Sequence, residues 1–75
     1  MERLPSVTPR QLIAALERIG FYVHHIRGSH HFLKDPVDTD IRITVAYHSR
    51  SLKRGTLHAI LRQANITGDE LRENL

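Results

Sequence analysis

The chain has no cysteine. A disulfide framework, a thiolate zinc site and a cysteine nucleophile are therefore excluded. It also lacks a long apolar run. The longest uninterrupted one covers residues 12–16, far short of the roughly 20 residues that cross a bilayer. The opening MERLPSVTPRQ has charges with no apolar stretch behind them, so no secretory signal is expected. No Gly-rich phosphate loop of the Walker or dinucleotide type is present, and none of the serines at 6, 29, 49 and 51 sits in a Gly-x-Ser-x-Gly setting. Acidic residues are missing from positions 41–65, which hold Arg42, Arg50, Lys53, Arg54 and Arg62. What remains is a soluble, cytoplasmic protein that needs no cofactor.

Its 75 residues make one domain, 1–75, near the lower limit for folding without disulfides or metal. Hydrophobic residues at 40% and charged residues at 25% read as globular. Eleven Lys and Arg against eight Asp and Glu leave a net charge of +3, and nine of the eleven cations are Arg. The planar guanidinium fork suits bidentate phosphate contact. The excess charge therefore points to a polyanion or an acidic protein partner.

Thr8 is a natural N-cap, Pro9 fits the first helical position, and Gln11 completes a capping box. Leu12, Ile13, Leu16 and Ile19 follow at helical spacing, and Gly20 supplies the stop, so a helix is expected over 9–19. Residues 21–27 (FYVHHIR) are aromatic and β-branched and read as a strand. Regular alternation places Phe21, Val23 and His25 on one face, with Tyr22, His24 and Ile26 on the other. Gly28-Ser29 is a turn signal, and residues 30–34 continue as a second strand. After the polar loop 35–40, Ile41, Ile43 and Val45 alternate with Arg42, Thr44 and Ala46 in a third strand. A second helix is expected over 56–64, closed by Asn65 in the left-handed position, and Thr67 with Glu70 signals a short third helix. Short connections imply an antiparallel meander. The expected fold is α+β, in the order α-β-β-β-α, with a three-stranded antiparallel sheet carrying its helices on one face. That is the element order of double-stranded-RNA-binding domains.

Four of the six histidines fall within residues 24–31. Neighbours on a strand point to opposite faces, so neither His24-His25 nor His30-His31 can chelate as an adjacent pair. A two-residue turn at Arg27-Gly28 would set His25 opposite His30 and His24 opposite His31. Two ligands per face fall short of the three that a catalytic zinc needs, and no metal is expected. His24, His25 and His58 read as ordinary exposed polar residues. The step Gly28-Ser29-His30 is different. The glycine lets backbone approach a phosphate, Ser29 offers a hydroxyl and an N–H, and His30 follows the turn, flanked by Arg27 and Lys34. An imidazole with cations nearby is what RNA cleavage by its own 2′-hydroxyl requires. The connection 47–55 adds His48, Arg50, Lys53 and Arg54 for backbone phosphates and Tyr47 for base stacking.

Four blocks in this order resemble the HicA (YcfA-like) family of toxins. They are LIAALERIGF (12–21), GSHHFLK (28–34), ITVAYH (43–48) and GTLHAILRQANIT (55–67). The chain departs from the family at Val45-Ala46-Tyr47-His48, where Val-Pro-x-His is frequent, and at Arg54-Gly55-Thr56, where Pro-Gly-Thr is. It also has Asn65 in place of the usual Gly. The resemblance implies a double-stranded-RNA-binding-like fold and metal-independent, ribosome-independent cleavage of mRNA. It further implies neutralisation by a HicB-type antitoxin and places the catalytic histidine at His30, with the motif's glycine at Gly28. The expected toxin is a monomer with His48 as candidate second acid/base. Arg27, Gly28, Ser29, Lys34, Arg50, Lys53 and Arg54 would hold RNA, and the antitoxin would cover the His30 face. The competing reading is a small RNA-binding module without catalysis.

Overall fold

Each turn chemistry noted above fixes a boundary in the computed structural model, which describes residues 4–75. Residues 1–3, part of the segment read as lacking a secretory signal, lie outside the described residues. Helix α1 spans Pro9–Ile19. Its capping box is complete: the Gln11 N–H donates to Thr8 Oγ1 at 3.2 Å, and the Thr8 N–H donates to Gln11 Oε1 at 2.9 Å. Gly20 ends the helix with φ at 132° and passes its N–H to the carbonyls of Leu16 and Glu17.

Strands β1 (Tyr22–Arg27), β2 (His30–Lys34) and β3 (Arg42–Ala46) form an antiparallel meander in the order β1-β2-β3. The hairpin turn is Gly28-Ser29, because Arg27 pairs with His30. Gly28 has φ at 58° while Ser29 keeps a negative φ. That is the pattern of a type II′ turn, whose first central position favours glycine. The alternative turn at Arg27-Gly28 is not formed, so the cross-hairpin histidine pairs are absent. His25 faces Phe32 and Ile26 faces His31.

Helix α2 spans Arg54–Ala64, two residues earlier than the apolar periodicity suggests, with Lys53 at the N-cap making no side-chain cap bond. Asn65 takes the left-handed conformation at φ 58° and its N–H reaches the carbonyls of Arg62 and Leu61. Helix α3 spans Gly68–Glu73 behind a second capping box, Thr67 with Glu70. Its end is tied to α1 where Arg18 Nη1 donates to the Asn74 carbonyl at 2.6 Å.

Helices α1 and α2 cover one face of the sheet, as expected for the α+β, double-stranded-RNA-binding-like arrangement. Leu12, Leu16, Leu33, Ile43, Val45, Leu57 and Leu71 meet in one core. Burying each such side chain contributes about 1.5–3 kcal/mol. The inward residues of β2 and β3 are Leu33, Ile43 and Val45, so His30, Phe32, Lys34, Arg42, Thr44 and Ala46 occupy the uncovered face.

One irregularity departs from simple alternation. The register slips between Val23 and His25: Val23 pairs with Leu33, but His25 pairs with Phe32. A bulge at His24 therefore moves His25 away from the side of Val23. The grouping of Phe21, Val23 and His25 on one face does not survive. Phe21 is buried ahead of the strand, Val23 packs against the core, and His25 stands on the open face.

Candidate active site

The turn that starts β2 is also the anchor for the connection after β3. The Tyr47 N–H donates to the Ser29 carbonyl at 2.6 Å. This bond extends the β2–β3 ladder past Ala46, which pairs with His30. Farther along, the Leu52 N–H donates to the Val7 carbonyl at 2.7 Å and pins the connection against the segment ahead of α1. Residues 47–53 are thus held at both ends, and they close over one end of the open face.

The result is a groove of about 590 Å³ between the end of the sheet and α2, a volume within the range of small-ligand sites. His30, Thr44 and Ala46 form its floor, and His48, Arg50, Lys53 and Thr56 form its wall. The two histidines singled out from the sequence therefore share one groove, although 18 positions separate them in the chain. Two cations and no carboxylate line it. The uncapped N-terminus of α2, with Lys53 at its cap, borders the same space, which adds to the preference for an anion.

His48 is oriented by its own loop. The Arg50 N–H donates to His48 Nδ1 at 3.2 Å. Nδ1 is then an acceptor, so the neutral ring carries its proton on Nε2, the nitrogen left for a ligand. His30 is exposed and its side chain makes no hydrogen bond within the described residues, so both of its ring nitrogens are open to solvent or substrate.

The remaining candidates divide. Arg27 faces His30 directly across the hairpin, and Gly28 and Ser29 form the turn itself. Lys34 stands at the other end of β2, about 13 Å from His30 by strand rise, in a separate depression with His24, His25, Phe32 and Arg42. Arg54 also turns elsewhere, lining a pocket with Leu4, Pro5, Leu52 and Leu57. Tyr47, read from the sequence as a base-stacking residue, has one ring face already occupied. It stacks on His31 at 4.6 Å with an interplanar angle of 22°, and it lines a shallow site with Thr8, Arg10, His48 and Ser49 outside the groove. His31 points to the helix side, and its Nδ1 is buried without a hydrogen-bond partner.

Thr44 and Ala46 are groove residues the sequence did not mark as functional. Their signal was the period-two pattern of the third strand, which put them on the face of Arg42. What the pattern lacked was the location of His30 beside them. The acids Asp35 and Asp38 are spent inside their own loop, accepting from the N–H groups of Val37, Asp38 and Asp40. They lie at the far end of the sheet from His30.

The described residues include no helix long and apolar enough to cross a membrane. No curated protein matches the chain. A family model described as HicA toxin of bacterial toxin-antitoxin matches residues 9–66, a span that runs from the first residue of α1 past the end of α2 and holds the whole groove. With the expected element order, sheet topology and histidine-bearing hairpin in place, the chain belongs to the HicA toxin family and is the toxin half of a toxin–antitoxin pair.

Proposed function

We propose that this toxin is a metal-independent endoribonuclease that cleaves mRNA at the groove holding His30 and His48. The observation that carries the reading is the Tyr47–Ser29 backbone bond, which brings the loop bearing His48 and Arg50 to the turn bearing His30. RNA supplies its own nucleophile. One imidazole takes the proton of a 2′-hydroxyl as that oxygen attacks phosphorus. The bond from phosphorus to the 5′-oxygen breaks, and the leaving oxygen acquires a proton. The products of that step are a 2′,3′-cyclic phosphate and a 5′-hydroxyl, with no oxidant or metal consumed.

His30 is the catalytic histidine in this reading, since its ring is free and it stands directly after the turn. His48 is the second acid/base or a donor to a phosphate oxygen through Nε2. Arg50 and Lys53 stabilise the charge that grows on the phosphorane, while Arg27, Gly28 and Ser29 seat the phosphate. Lys34 and Arg54 bind RNA outside the groove. A HicB-type antitoxin covers the His30 face, and the free toxin is a cytoplasmic monomer.

The test is cleavage of a single-stranded RNA oligonucleotide in EDTA by the wild type and by His30→Ala. Because the His30 side chain is exposed and without a hydrogen-bond partner, the variant keeps its circular dichroism spectrum and stays within about 0.5 kcal/mol of wild-type stability, and cleavage is lost. Persisting cleavage in the variant refutes the assignment. Binding with fully intact RNA by the wild type supports the non-catalytic module instead.

A further inference from the structure

The bulge at His24 has a consequence for the open face that regular alternation forbids. His24 and His25 are neighbours in the chain, yet both line the depression that also holds Phe32, Lys34 and Arg42. Their ring centroids are 6.5 Å apart. Tyr22 meets His24 edge to face at 6.4 Å. On the other side, His25 meets Phe32 at 5.6 Å and Phe32 meets His30 at 6.5 Å, both with tilts near 35°. The five rings form one continuous line that runs along β1, steps to β2 at Phe32 and ends on His30.

Some RNA-binding domains use aromatic rings on an open sheet face to hold unpaired nucleic acid. Bases splayed from a single strand stack on the exposed rings, while a duplex keeps its bases occupied with one another. The face also carries the matching charge. Arg27 and Lys34 stand on the two strands that carry the rings, Arg42 pairs with Lys34 from β3, and no carboxylate lines the depression. Asp35, next after the Lys34 that pairs with Tyr22, accepts from its own loop's backbone at the far end of the track.

We infer that Tyr22, His24, His25 and Phe32 form a base-stacking track that delivers single-stranded RNA to His30. Phe32 is its central positioning residue. The inference rests on the proposed cleavage at His30 and adds the path of the substrate: unpaired RNA runs along the rings of the open sheet face, although the fold is that of duplex-binding domains. Phosphates on this track are held by Lys34 and Arg42, which explains two cations that lie away from the groove.

The experiment measures kcat and KM for one RNA oligonucleotide, free and annealed to its complement, with wild type, Phe32→Ala and Phe32→Tyr. Base–aromatic stacking is worth about 1–3 kcal/mol per base, so Phe32→Ala raises KM roughly 5- to 150-fold, with the larger share of the loss in KM rather than kcat. Phe32→Tyr restores most of it, and annealing suppresses cleavage by the wild type. Circular dichroism confirms that the variants are folded. An active wild type with KM unchanged in Phe32→Ala, or with duplex cleaved as well as single strand, overturns the track while leaving the cleavage reading intact. A wild type that cleaves nothing overturns the cleavage reading. In that case fluorescence anisotropy of the same labelled oligonucleotide decides the track, which is supported by a weaker Kd for Phe32→Ala and refuted by an equal one.

Discussion

Replacing Gly28 separates two reasons for a glycine beside His30. A glycine can be required because a side chain would collide with its surroundings, or because the backbone angle suits no L-residue. Here the two reasons make different predictions. A Cβ built at Gly28 meets nothing within 4 Å, while φ is +58°. The cost is therefore conformational, about 1–2 kcal/mol for an L-residue forced to positive φ. For a domain of this size that lowers Tm by roughly 4–16 °C. Because the space is open, Gly28→Ala and Gly28→Leu cost nearly the same. A steric gate would instead make the loss climb with side-chain volume. Thermal and urea unfolding of the two variants measure this directly. Cleavage falls further than stability in both, because a relaxed turn shifts His30 and releases the Ser29 carbonyl from the Tyr47 N–H. Wild-type stability in Gly28→Ala refutes the conformational argument, and a large excess loss in Gly28→Leu refutes the reading of open space.

Three further outcomes follow from burial and charge. Leu33 is 1% exposed and sits on the opposite side of β2 from His30 and Phe32. Leu33→Ala costs about 2–5 kcal/mol, visible as a lower urea midpoint, and activity is lost in step with the folded fraction. His31→Phe keeps a ring against Tyr47 and removes the unpartnered buried Nδ1. It raises stability by about 1 kcal/mol in chemical denaturation, and unchanged or lower stability contradicts the orphaned-nitrogen reading. Lys53→Ala removes one phosphate contact at the groove wall. Single-strand RNA binding measured across a salt series then loses about 0.7 from its log–log slope, and an unchanged slope places Lys53 outside the contact.

Much of the architecture was legible because local signals and long-range packing agree. Thr8 with Gln11, Thr67 with Glu70, and Asn65 after α2 each act within four residues, so their chemistry marks the same boundary in the chain and in the fold. The alternation of Ile43 and Val45 with Arg42 and Thr44 held because β3 is regular along its length. The helix-two start was less legible, since Lys53 makes no side-chain cap to announce it. The candidate site was half legible. The turn residues and His30 are contiguous, but Lys34, four residues past His30, and Arg54, next to Lys53, are turned to other surfaces.

Local chemistry along the chain specified the α-β-β-β-α order, a hairpin turn at Gly28 and the basic stretch without acids from 41 to 65. Each is set by local turn and capping chemistry or by the composition of one continuous stretch. Three other features arise from contacts between distant segments. A backbone bond from Tyr47 to Ser29 joins His48 to His30. Stacking on His31 occupies one face of Tyr47. The register slips at His24, so that two consecutive histidines share the open face with Phe32. A bulge is one extra residue in one strand relative to its partner. Its existence is a property of the pair, and neither strand read alone contains it.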